Sequence, residues 1–290
     1  MASNPVLRGF EKTGRPGVSA PGSRPAPSAD QLNQWYAQPS YGQQGYPPQG
    51  QGFPPQGQGF PPQAPATPSR YLTLDDVITR SVVLLGVLLV AAGFAWFAVP
   101  DSAAGGVATI GFIGALGLGL YMGFSGKANA VTTVLYSALE GLALGAISEV
   151  FNKTWPGIVV QAVTGTIMVA FGVLIVYKTG AVRVTPKFTK IVFAATLGVV
   201  GLMLVNLVAS IFTHDGLGLR SGGGMAIAFS LLCIVIAAAN LIVDFDMVEQ
   251  SVRRGVDEKF GWYLSWGILV TLVWLYLEIL RLLAMLRGND

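Results

Sequence analysis

The chain is poor in charge. Asp, Glu, Lys and Arg make up 11% of its 290 residues, against roughly 25% in an average soluble domain. A fold surrounded by water could not cover its surface with so few. Histidine and cysteine are scarcer still, with His214 and Cys233 the sole examples. One histidine excludes a zinc centre built on two or more of them. It falls in a loop, which also excludes a Ser–His pair within the apolar runs. One cysteine excludes an intramolecular disulfide, and Cys233 lies deep in an apolar run, where a thiol packs as a small hydrophobe. There is no GxxxxGK[ST] phosphate loop, and the last apolar run has no lysine for a retinal Schiff base. No enzymatic activity, resident cofactor or nucleic-acid partner is expected.

Apolar residues are abundant instead, at 52%, and the mean hydropathy is +0.57. A helix that crosses a bilayer needs ~20 consecutive apolar residues. Seven runs approach or meet that length: about Val82–Val99, Ala104–Phe124, Ala130–Phe151, Gly157–Tyr177, Phe188–Phe212, Gly224–Val243 and Trp262–Leu286. Lipid offers no partner to a free backbone amide, so runs of this kind must be helices. The expected fold is an all-α integral membrane protein, a seven-transmembrane-helix bundle. Thr73, followed by Asp75 and Asp76, reads as a capped helix start at the membrane surface.

Residues 1–70 have another character. Pro, Gly, Gln and Ser dominate, and the segment cannot bury enough apolar area to offset its ordering entropy. A disordered cytoplasmic tail over 1–70 and a membrane domain over 71–290 are expected. Within the tail, GYPPQGQ from Gly45, GFPPQGQ from Gly52 and GFPPQAP from Gly59 form a tandem repeat. Paired prolines in each unit forbid a coiled coil and favour polyproline II. The repeat reads as a solvated spacer, as a ligand for a Pro-motif-binding protein or as a self-associating tail. No positive segment leads directly into an apolar stretch and a cleavage site, so a cleavable signal peptide is not expected.

Orientation follows from the basic residues. Fourteen of the 18 fall on one side, and Lys153, Arg220, Arg281 and Arg287 on the other. The N-terminus is expected in the cytoplasm and the protein in the plasma membrane. Small residues crowd several runs: Gly111, Gly114, Gly117, Gly119 and Gly123 in the second, Gly141 and Gly145 in the third, and Gly198 and Gly201 in the fifth. Such residues allow close helix approach in lipid.

Ionisable residues inside the runs stand out, because each is costly in hydrocarbon and tends to face a cavity or a partner. Glu140 lies ~15 Å along the third run. Glu278 lies in the last, with Arg281 at i+3 on the same face as an ion-pair partner. Asp244 and Asp246 close the sixth run. Asn240 shares a face with Asp244, whereas Asp246 is turned away by ~200°. Carboxylates with no excess of basic partners suit calcium or protons as ligands. The plainer alternatives are a helix end in the headgroups for Asp244 and Asp246, and a glutamate hydrogen-bonded to a neighbouring helix for Glu140. Asn206 reads as glue between helices, His214 and Asp215 as a solvated loop, Trp262 as an interfacial belt residue, and Trp266 and Trp274 as packing.

Three segments carry a resemblance: Tyr136–Gly145 (YSALEGLALG), Asn240–Gln250 (NLIVDFDMVEQ) and Leu275–Leu283 (LYLEILRLL). In this order over seven runs, they resemble the Bax inhibitor-1 family of transmembrane proteins, in wording its bacterial branch. The resemblance implies a seven-helix fold with the last helix central. It also implies a pH-sensitive calcium leak controlled by two acids, on the sixth and seventh helices, that hydrogen-bond when one is protonated. By position these are Asp244 or Asp246 and Glu278, and Glu140 is the acid of the early motif. The chain departs from the pattern in carrying Glu278 where Asp is common. Glu278 also falls ~24 Å into the last run, so the acids meet only if that helix is broken or starts well below the membrane. The resemblance further implies an alternative role, as a regulatory partner of a membrane AAA protease or of stress signalling without ion transport.

Overall fold

The computed structural model describes residues 70–212 and 223–288. The repeat-bearing segment and the His214–Asp215 loop lie outside the described residues. Among the described residues, seven helices follow in chain order: α1 (Leu74–Ala98), α2 (Asp101–Ser125), α3 (Ala130–Thr154), α4 (Ile158–Lys178), α5 (Pro186–Phe212), α6 (Gly223–Arg253) and α7 (Phe260–Gly288). All seven are long and apolar enough to cross a membrane.

The helix ends follow local chemistry. At α1, the Asp76 N–H donates to the Thr73 hydroxyl at 3.2 Å, and the Thr73 N–H donates to the Asp76 carboxylate at 3.0 Å. This reciprocal cap starts the helix at Leu74 rather than near Val82. The added turns are polar outside but bury Val77 on the inside. Asn129 and Thr132 cap α3 in the same way. Gly126 ends α2 at φ 64°, a left-handed conformation that other residues enter at a cost.

α6 also outruns its apolar stretch. It continues to Arg253 instead of stopping near Val243, because its last turns bury Val248 and Ser251 while showing polar side chains elsewhere. At 1.5 Å per residue its 31 residues reach about 46 Å, beyond the ~30 Å hydrocarbon core. Asp244 and Asp246 therefore lie within a continuing helix and not at its end.

α7 is the central element and packs against α6, α4, α1 and α3, whereas α2 lies on α3 and α5 on α6. The tightest approach is that of α3 to α1. A Cβ at Gly141 would collide with the Leu88 carbonyl and Ala91, and one at Gly145 with the backbone of Ala92. Gly111 approaches α3 closely as well, since its Cβ would fall 2.7 Å from the Leu139 carbonyl. Hydrophobic burial does not drive helices together in lipid, so such backbone contact carries much of the association. Gly198 and Gly201 differ from the expectation. A Cβ at either would meet nothing within 4 Å, so they mediate no close packing. The outer faces remain apolar, with Phe97, Phe124 and Phe212 all more than 80% exposed.

The α6–α7 connection is bound to the start of α1. The Leu72 N–H donates to the Val256 carbonyl and the Glu258 N–H to the Arg70 carbonyl, both at 2.9 Å. Leu72 is buried against Val77, Val248 and Leu264. Arg80 donates to the Glu258 carbonyl and lies 5.1 Å from the Trp262 ring centre, a cation–π contact.

Candidate functional site

The α6–α7 interface holds two carboxylates on separate levels. On the level nearer the α6–α7 connection, the Thr271 hydroxyl donates to Asp244 Oδ2 at 2.6 Å, with the Gly267 carbonyl at 3.2 Å as its weaker acceptor. Gly267 is one turn earlier on α7, and a Cβ there would stand 3.9 Å from Asp244 Oδ1, an ordinary van der Waals contact. Thr271 is buried and Asp244 half-buried. Nine residues separate Asp244 from the end of α6 and eleven separate Thr271 from the start of α7. The contact thus lies about 15 Å from the ends of the two helices that the α6–α7 connection joins.

The second level, further from the α6–α7 connection, is built on Glu278, which is 3% exposed. Arg281 on the same helix approaches its Oε2 to 2.7 Å, and the Ser230 hydroxyl on α6 donates to that oxygen at 3.1 Å. The i+3 pairing expected between Glu278 and Arg281 is thus present. Glu278 and Asp244 are not brought together. Two helical turns, about 10 Å, separate Glu278 from the threonine that Asp244 meets. The residue opposite the sixth-helix acid is Thr271.

The other expected site residues take different places. Asp246 is half-buried and accepts from Gln250 of its own helix at 2.5 Å. Asn240 donates to Thr196 on α5 at 2.8 Å. Glu140 is buried on α3 one turn after the buried Tyr136, on the part of the bundle formed with α1 and α2. Asn206 is buried on α5. Trp266 packs edge-on against Tyr136 at 6.0 Å, and Trp274 packs among α4, α6 and α7. Among the described residues, no three His, Cys, Asp or Glu side chains converge as a metal cage.

Thr271 and Ser230 were not legible as partners beforehand. Each is a small hydroxyl residue in an apolar run, of a kind that often bonds only its own helix. The one available signal was register, since Thr271 precedes Glu278 by seven residues and so shares its face.

Seven apolar helices with polar groups turned inward define a multi-pass integral membrane protein. A family model described as Bax inhibitor 1 like matches residues 16–288, and the chain belongs to that family. A search of curated proteins finds no match.

Proposed function

We propose that this chain is a cation leak pathway, permeable to calcium and sensitive to pH, that opens and closes at the Asp244–Thr271 contact between α6 and α7. The observation that supports the reading most is that contact. A carboxylate inside the bundle is held across the interface by a neutral hydroxyl, and among the described residues no basic side chain forms an ion pair with it. A carboxylate in that setting attracts a cation, and one hydrogen bond is a small barrier to separating two helices. Glu278 supplies a second acid further along the same interface. Sites that engage an ion without a full cage favour passage over retention. Family membership adds weight, because calcium leak channels occur in this family. In this reading the protein sits in the plasma membrane with residues 1–70 as a cytoplasmic tail.

Calcium influx into proteoliposomes tests it. Wild type should conduct above empty vesicles, and Asp244→Asn and Glu278→Gln should each change the flux or its pH dependence. Folded protein that conducts nothing would end the reading.

A second reading, a regulatory membrane partner acting on a protease or a stress signal, is favoured by one observation. Residues 70–72 are hydrogen-bonded to the α6–α7 connection, so a partner that engages the preceding segment would pull directly on that connection. Deleting Met1–Ser69 separates the two: a partner role is lost, while ion flux persists.

A further inference from the structure

An apolar cavity of about 730 Å³ opens between α1 and α4, with α3, α6 and α7 at its back. Its volume is that of a small-ligand site. Its mouth is lined by Leu89 and Phe97 of α1 and by Ile167 and Phe171 of α4, all more than half exposed. These residues lie within spans, so the mouth faces hydrocarbon.

The few hydroxyls that line it are already engaged. Ser148 and Tyr276 bond each other at 2.6 Å, and Thr166 donates to the Ala162 carbonyl at 2.8 Å. An ordered water needs two to four polar partners, and beyond these hydroxyls the Trp96 indole is the one other polar side chain in an otherwise apolar lining. A void would forfeit dispersion contacts along its whole lining. The lining on α1 runs from Leu85 to Phe97, about 18 Å at 1.5 Å per residue. One leaflet of the hydrocarbon core is ~15 Å deep.

We propose that the acyl chain of a membrane phospholipid enters this cavity from the bilayer and forms part of the bundle. Its inner floor is made by Leu241 and Phe245, which flank Asp244, and by Ile268 and Leu272, which flank Thr271. The inserted chain therefore supports the helix surfaces that hold the α6–α7 contact together. The inference rests on the cavity alone and stands whether or not that contact gates an ion.

The test uses the full chain in phosphatidylcholine vesicles containing phosphatidylcholine with a photoreactive diazirine on its acyl chain. Labelled positions are mapped by peptide mass spectrometry. Residues 85–97 and 163–174 should be labelled above the lipid-facing α5 surface around Leu204, which is 58% exposed. Two variants fill the cavity. Gly93→Leu starts from a position where a Cβ meets nothing within 4 Å, and Ala170→Trp projects from α4. Either should remove the excess labelling and leave α5 unchanged. Labelling no greater than on α5, or an excess that persists in both variants, would overturn the proposal. So would efficient disulfide coupling of two copies through Ile167→Cys, because a second copy would then cover the mouth.

Discussion

Replacing Thr271 by valine removes one hydroxyl and leaves the shape of the side chain intact. Asp244 Oδ2 then loses the donor that stands 2.6 Å away. Hydrogen bonds to charged groups contribute ~1.5–3 kcal/mol in soluble proteins, while those between membrane helices average ~0.6 and reach ~1.7 kcal/mol. A loss near ~1.4 kcal/mol shifts an equilibrium about tenfold. The loss falls on the closed arrangement, because only there do Asp244 and Thr271 touch. On the membrane-helix range, calcium flux through Thr271→Val in proteoliposomes should therefore rise about threefold to about eighteenfold. Thr271→Ser keeps the donor and should stay near wild type. Unchanged or reduced flux in the valine variant, or a serine variant as leaky as the valine one, would refute the assignment of this contact to the closed state.

Other expectations concern stability. Glu278→Ala removes one member of a buried pair with Arg281 and should cost about 3–5 kcal/mol, read as lower thermal stability in detergent, whereas Glu278→Gln retains the Ser230 contact and should lose less. Gly145→Ala drives a Cβ into the Ala92 backbone and should cost at least about 1–3 kcal/mol through overpacking; Gly198→Ala meets open space and should be neutral or slightly stabilising in the same assay. Leu72→Ala empties a buried position and should loosen the join between α1 and the α6–α7 connection. Hydrogen exchange should then quicken at the Leu72 and Glu258 amides.

The bundle was largely readable in advance because each span states its own case. Long apolar runs, a Thr–Asp cap and prolines or glycines at the breaks are local signals, and all seven spans appear where the runs lie. The ends were less readable where a helix leaves hydrocarbon. Leu74–Arg80 and Asp244–Arg253 are too polar for a span but bury one stripe, so hydropathy stops before the helix does. Close packing was read correctly at Gly141 and Gly145 but not at Gly198 and Gly201, because a glycine in lipid does not reveal whether another helix faces it.

The site was legible only in part for a related reason. An acid in an apolar run signals that it needs a partner, which drew attention to Asp244 and Glu278. It does not say what that partner is. Register along α7 is set by the whole α6–α7 interface, and that register brings Thr271 opposite Asp244 while Glu278 lies two turns further on. Asp244 and Asp246 were equivalent by composition. Helix periodicity sets them on opposite sides, but which of the two meets α7 is decided by the packing, which gives Thr271 to Asp244.

The central claim is that Asp244 sits in an ion path through the membrane. Calcium influx into proteoliposomes of wild type and Asp244→Asn, each measured at pH 6 and pH 8, tests it most directly. Flux above empty vesicles that varies with pH in wild type, and that is reduced and nearly pH-independent in the variant, is the predicted result. Equal flux and equal pH dependence in the two proteins would contradict it.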